Sequence, residues 1–152
     1  MKMILIDDHL TEHFRLDEFA HHERGKEPTV YLSSDFLKFV QMLEEFRMWY
    51  RRPMNITSGY RPIEFNKLVG GSFNSAHLRM LAVDFRLPNM LVYEPSRREQ
   101  FYQNIKVKWS AICEKWEFKP QCNFYDTYIH LGVTRSHESF LDERKVMKVY
   151  DD

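Results

Sequence analysis

The sequence predicts an α+β fold built on a small antiparallel sheet, and three observations lead there. Two long segments repeat apolar residues at helical spacing, several short β-type runs lie between and after them, and few βαβ crossovers fit the order of elements. The chain has 152 residues, 43% of them hydrophobic and 15% aromatic, enough for the core of one domain. No repeat, low-complexity tract or Gly/Ser linker divides it, so residues 1–152 are read as a single domain.

The first helix is signalled by Ser33 and Ser34 before Asp35, after which Phe36, Phe39, Val40, Leu43, Phe46 and Tyr50 recur on one face until Pro53. Arg51-Arg52 at its end is a charge pair that favours the helix dipole. Met54 to Ser58 is a short β-type run broken by Gly59. Pro62 to Val69 fits two helical turns closed by Gly70 and Gly71, and Ala82 to Leu87 reads as a strand ended by Pro88. A second helix begins near Pro95 and Ser96. It carries Phe101, Ile105, Trp109, Ile112 and Trp116 on one stripe, read as core, with Arg97, Arg98, Lys106 and Glu114 facing away. Thr127 to Thr134 alternates, with Tyr128, His130 and Gly132 on one face and Ile129, Leu131 and Val133 on the other. The charged tail from Ser136 has no clear assignment.

Lys plus Arg and Asp plus Glu balance at 22 each, so no overall basic field exists to hold nucleic acid. The apolar run Met1 to Leu5 is too short for a secretory signal, and no stretch approaches the roughly 20 apolar residues of a membrane span. The chain is therefore read as made in a cytoplasm. Cys113 and Cys122 are too few for a disulfide framework or a four-cysteine zinc site, and Cys113 falls on an apolar helix face as a buried free thiol.

A catalytic zinc takes three ligands from His, Asp, Glu or Cys and keeps one position open for water. The segment Ser75-Ala76-His77-Leu78-Arg79-Met80-Leu81-Ala82-Val83-Asp84 offers His and Asp where a loop meets a strand, and a turn there can bring both side chains to one point. His130 offers a third ligand from a separate strand. Seven histidines and many acids make chance pairs common, so a longer match is needed to single these out.

That match runs from Ile56 to Phe85, ITSGYRPIEFNKLVGGSFNSAHLRMLAVDF, which resembles the zinc D-alanyl-D-alanine carboxypeptidase and L-alanyl-D-glutamate endopeptidase family. These peptidoglycan peptidases share their fold with the hedgehog signalling domain. Ser58-Gly59-Tyr60-Arg61, the Gly70-Gly71 to Ser75 loop, and Ser-x-His with Ala-x-Asp match in order. Thr11 to Phe19 and Tyr128-Ile129-His130 also fit. The resemblance implies that His77, Asp84 and His130 bind zinc, that Arg61 faces the substrate, and that Ser75 lies beside the metal. A fixed guanidinium at Arg61 can stabilise an oxyanion or hold a substrate carboxylate.

Two positions depart from the family. Met80 stands where glycine is usual, and can distort the turn or narrow the cleft. Thr127 stands where the family places a catalytic Glu or Asp, three residues before the last zinc histidine. Asp126 is then the nearest carboxylate; in a regular strand it shares a face with Tyr128 and His130 and can serve as the general base, the alternative being a solvated turn acid before the strand. His21-His22-Glu23 is read as a polar loop, and His9, His13 and His137 as solvent-facing.

The resulting expectation is a zinc metallopeptidase that cleaves bonds next to D-amino acids in peptidoglycan stems or precursors, as a D,D-carboxypeptidase or an endolysin-type endopeptidase. Its two long helices cover one face of the sheet and the zinc cleft opens on the other. The alternative is an inactive zinc-binding domain of the same fold that holds cell-wall peptide or a protein partner. A phage lysis or virion enzyme, or an intracellular enzyme trimming D-amino-acid dipeptides, would each suit a chain without an export signal.

Overall fold

The computed structural model describes residues 9–89, 94–135 and 146–148. In chain order these form α1 (Leu16–Phe19), β1 (Thr29–Tyr31), α2 (Ser34–Tyr50), β2 (Ile56–Ser58), α3 (Ile63–Leu68), a 3-10 turn (Ala76–Arg79) and β3 (Ala82–Arg86). A second 3-10 turn (Pro95–Arg97) leads into α4 (Arg98–Trp116), followed by β4 (Lys119–Phe124), β5 (Tyr128–Thr134) and β6 (Val146–Lys148). The main sheet is antiparallel throughout, in the order β2-β3-β5-β4, and β1 pairs with β6 in a separate ribbon. This is the α+β arrangement that the sequence predicts.

Helix α2 starts where Ser33 Oγ accepts the Phe36 N–H at 3.0 Å, occupying one of the donors that a helix start leaves free. Its stripe from Phe36 to Tyr50 is buried, and Arg51 ends it in the left-handed region at φ 58°. On α4, Ile105, Trp109, Ile112 and Cys113 are buried, and burial pushes the free Cys113 thiol up to about 12. The Trp109 ring meets Phe39 and Phe46 edge-on, at 6.1 and 6.0 Å between centroids. Its indole N–H donates to the Gly132 carbonyl at 3.1 Å, so the polar tip of this buried ring is satisfied.

Phe46 and Tyr50 also pack edge-on against Phe85 of β3. The helices thus cover the sheet face carrying Val83, Phe85, Ile129, Leu131 and Val133, all completely buried. Successive strand side chains point to opposite faces, so Asp84 and His130 project from the other side. They are direct partners in the β3–β5 register.

Several elements differ from expectation. β5 begins at Tyr128, because Asp126 and Thr127 form the tight bend that closes the β4–β5 hairpin, with Tyr125 N–H donating to the Tyr128 carbonyl at 2.9 Å. β4 was not expected: Lys119-Pro120-Gln121-Cys122-Asn123-Phe124 lacks clean alternation, and its proline is tolerated because β4 lies at the sheet edge. α1, β1 and β6 likewise had no sequence assignment, and β6 falls in the charged tail. Among the described residues, no helix is long and apolar enough to cross a membrane.

Candidate metal centre

Three elements bring His77, Asp84 and His130 together. His77 rides on the first 3-10 turn, which Ser75 caps by accepting the His77 N–H on Oγ at 3.2 Å. The turn closes at Met80, and the Leu81 N–H returns to the Ala76 carbonyl at 3.0 Å. This reversal leads into β3, which carries Asp84, with His130 alongside on β5. One potential ligand atom from each of the three lies within 4.8 Å of the others.

Hydrogen bonds decide which atoms face the centre. The fully buried His77 ring places Nδ1 2.7 Å from the Gly59 carbonyl oxygen, which can only accept. Nδ1 therefore carries the proton, and Nε2 presents its lone pair 3.2 Å from Asp84 Oδ1. On the other side, His130 Nδ1 lies 2.9 Å from the same carboxylate oxygen, and its Nε2 lies 3.0 Å from Gln121 Oε1.

Burial pushes the His77 pKa down, which leaves the ring neutral near pH 7. Burial alone would raise the Asp84 carboxyl, but the His130 and His77 side chains beside it outweigh that and hold it well below the usual carboxylate range. A neutral Nε2 and an ionised carboxylate are both acceptors, and facing each other they repel unless a cation lies between them. The separations of 3.2 and 2.9 Å from Asp84 Oδ1 approach the edge of about 3.4 Å implied by tetrahedral zinc bonds of roughly 2.1 Å. Two imidazoles and one carboxylate are also a zinc donor set that leaves a fourth position open. The residues fit such an ion.

The cluster opens onto a cleft of about 740 Å³. Arg61, Gly71, Ser75, Gln121, Tyr125 and Tyr128 line it near the cluster, and Lys106, expected on a solvated helix face, lines it from α4. The Arg61 main-chain N–H donates to the His77 carbonyl at 3.1 Å, tying this residue to the ligand turn. Its guanidinium is half-buried, and its Nε has no hydrogen-bond partner among the described residues. Burial pulls the Arg61 pKa below its ordinary value and nearby Asp84 opposes the shift, so the group stays cationic at neutral pH.

Gly71 lets the loop pass close to this arginine. A side chain there would collide with the Asn66 amide and press on Arg61 Nη1. Asn66 is buried and holds the loop through its Nδ2, which donates to the Ser72 carbonyl at 2.9 Å. The Tyr125 and Tyr128 rings stack at 4.5 Å and 14°.

Several site expectations need correction. Asp126 is not on the cleft face: its side chain is fully exposed at the hairpin bend, its carboxylate 4.0 Å from Arg98 Nη1, and it does not line the cleft. The strand alternation that placed it beside His130 does not extend back through the bend. Thr127 lines a separate hollow with Thr57 and Arg86. Met80 neither narrows the cleft nor breaks the turn. It adopts φ 56° itself, and its side chain is buried in the core, where Sδ accepts the Tyr31 N–H.

His13 is not simply solvent-facing, since its main-chain N–H donates to Glu44 Oε1 at 2.8 Å and its Nδ1 lies 2.6 Å from Oε2. His9 is exposed, while His137 lies outside the described residues. His21 contacts Glu23 and the Phe65 ring, and His22 contacts the Asp17 carbonyl. Arg52 lies over the Tyr50 and Phe101 rings, beyond the helix-end role expected of it. Trp109 and Trp116 stay out of the cleft, as expected.

Gln121, the Gly59 carbonyl and Tyr125 were not singled out from sequence, and Tyr128 was read only as part of the strand that carries His130. Gln121 lies on the unexpected edge strand, and a main-chain carbonyl leaves no mark in residue identity. A family described as Peptidase M15 has a sequence model that matches residues 12–111, a span that holds Arg61, Ser75, His77 and Asp84 and stops short of His130. No curated protein and no solved structure matches the chain.

Proposed function

Because the chain belongs to the peptidase M15 family, we propose that it is a zinc peptidase that hydrolyses peptide bonds next to D-amino acids in peptidoglycan stems or their precursors. The observation that carries this reading is the convergence of His77 Nε2, Asp84 Oδ1 and His130 Nδ1 on one side of an open cleft beside an unpaired Arg61 Nε. When bound, zinc supplies Lewis-acid polarisation of the scissile carbonyl and acidifies a water molecule. His77, Asp84 and His130 hold it.

Arg61 stabilises negative charge that develops on the substrate carbonyl oxygen, in a half-buried setting where such an interaction outweighs its worth in water. Ser75 already accepts the His77 N–H on Oγ, and its hydroxyl proton is left to donate to the substrate backbone. Tyr125 and Tyr128 form a flat aromatic wall for the peptide.

One observation favours a second reading, a domain that binds wall peptide without cleaving it. Among the described residues, Asp84 is the sole carboxylate lining the cleft, so no second acid stands ready to take a proton. Digestion of purified peptidoglycan, with muropeptides read by mass spectrometry, separates the two. New termini produced by the wild type but not by His77→Ala establish the peptidase and name the bond. Retention on peptidoglycan without release of fragments establishes the binding domain.

A further inference from the structure

The two histidines of the centre face it through different nitrogens, and each is held by a carbonyl oxygen on its far side. For His77 that oxygen belongs to the main chain of Gly59. For His130 it is Oε1 of a side chain, Gln121, at 3.0 Å from Nε2. We propose that Gln121 is the positioning residue that selects the metal-facing nitrogen of His130. The proposal rests on the zinc reading above.

The selection follows from proton count. A neutral imidazole carries one N–H. With that hydrogen donated from Nε2 to Gln121 Oε1, Nδ1 is left bare, and Nδ1 is the atom 2.9 Å from Asp84 Oδ1. Without an acceptor at Oε1 the proton is free to move to Nδ1 and bond to Asp84, which removes one lone pair from the centre and ties up another. Partners on the far side of a ligand imidazole fix its tautomer and ring orientation in this way.

A second observation shows that the strand is built to admit this amide. Gln121 on β4 is the direct register partner of Gly132 on β5, two residues beyond His130 on the same face. A Cβ at position 132 would lie 2.7 Å from Gln121 Oε1 and 3.0 Å from the Ala82 Cβ. The absence of a side chain at 132 is what allows Gln121 to reach across to the ring. The indole N–H of Trp109 holds the Gly132 carbonyl from within the core, so the opening has a fixed position.

The test is zinc affinity of the full chain by chelator competition, together with the visible spectrum of the cobalt-substituted protein. Gln121→Leu removes the acceptor at similar size, and should weaken zinc roughly 10- to 100-fold and change the cobalt bands. Gln121→Glu keeps an acceptor in place and should restore both readouts to near the wild type. Gly132→Ala, which pushes the amide aside, should reproduce the Leu phenotype. Should the Leu variant fail to fold, Gln121→Ser, polar but too short to reach the ring, replaces it. Wild-type affinity and spectrum in a folded Leu or Ser variant would overturn the proposal, as would a Glu variant as weak as Leu. A wild type that binds no zinc removes the zinc reading itself, and this proposal with it.

Discussion

Met80 combines a costly backbone with a useful side chain, and two substitutions separate them. Its φ of 56° lies in the left-handed region, where an L-residue costs roughly 1–2 kcal/mol relative to its usual conformations. The same residue is 1% exposed, and truncating a buried Met to Ala typically costs about 2–5 kcal/mol. Met80→Ala keeps the strain and loses the packing, so it should destabilise by the whole of that, about 2–5 kcal/mol. Met80→Gly loses the packing but relieves the strain, for a net loss of about 0–4 kcal/mol. In a chain of this length the glycine variant should melt no more than roughly 16 °C below the wild type, with the alanine variant lower still. Thermal and urea unfolding of the metal-free proteins provide the assay, and the order wild type, Gly, Ala is the prediction. A glycine variant more stable than the wild type would mean that strain outweighs packing and that the buried thioether contributes little. An alanine variant equal to or above glycine would refute the strain argument.

Arg61→Ala should lower hydrolysis on the order of a hundredfold while zinc content stays at the wild-type level, measured by turnover alongside metal analysis; full activity would remove Arg61 from the mechanism. Asp126→Asn should leave turnover within about twofold, because a positioned base is worth roughly a hundredfold or more and this side chain is fully exposed at the bend. A large loss with zinc retained would restore Asp126 as the base. Glu44 predicts a pH effect: burial alone would raise its carboxyl, but contacts with Thr11 and His13 outweigh this and lower it from the ordinary 4.5. A carboxyl lowered in the folded state contributes stability above its unfolded pKa and loses it as pH falls through the folded one. The stability gap between wild type and Glu44→Gln should therefore be widest above about pH 5 and close on further acidification; a gap that does not change with pH would contradict this.

The parts of the fold that were legible in the sequence are those where periodicity and punctuation agree. α2 shows both, with Ser33 before it, an unbroken apolar stripe and Pro53 soon after. β5 shows strict alternation, which also placed His130 opposite the core face correctly. β4 was hidden because edge strands are short of apolar residues and this one contains Pro120. β1 and β6 are three residues each, and their pairing across more than a hundred positions has no local signal. In the site, the segment around His77 and Asp84 was legible because motif and turn coincide. Of the two readings open for Asp126, its exposed position fits the solvated turn acid, because a two-residue bend interrupts the alternation immediately before the strand begins. Met80 was misjudged because residue type alone does not reveal that its side chain turns inward from a left-handed backbone.

Asp84 and His130 are exact register partners on adjacent strands, a pairing that makes the ion a gauge of folding accuracy. A slip of one residue between β3 and β5 would turn one of the two side chains toward the core. Such a molecule could keep much of its sheet hydrogen bonding and its spectroscopic strand content, yet hold no complete ligand set. Any ion that binds the three residues stabilises the correct pairing over its neighbours by mass action. Metal stoichiometry of a refolded preparation would then count the correctly registered molecules, which circular dichroism cannot do.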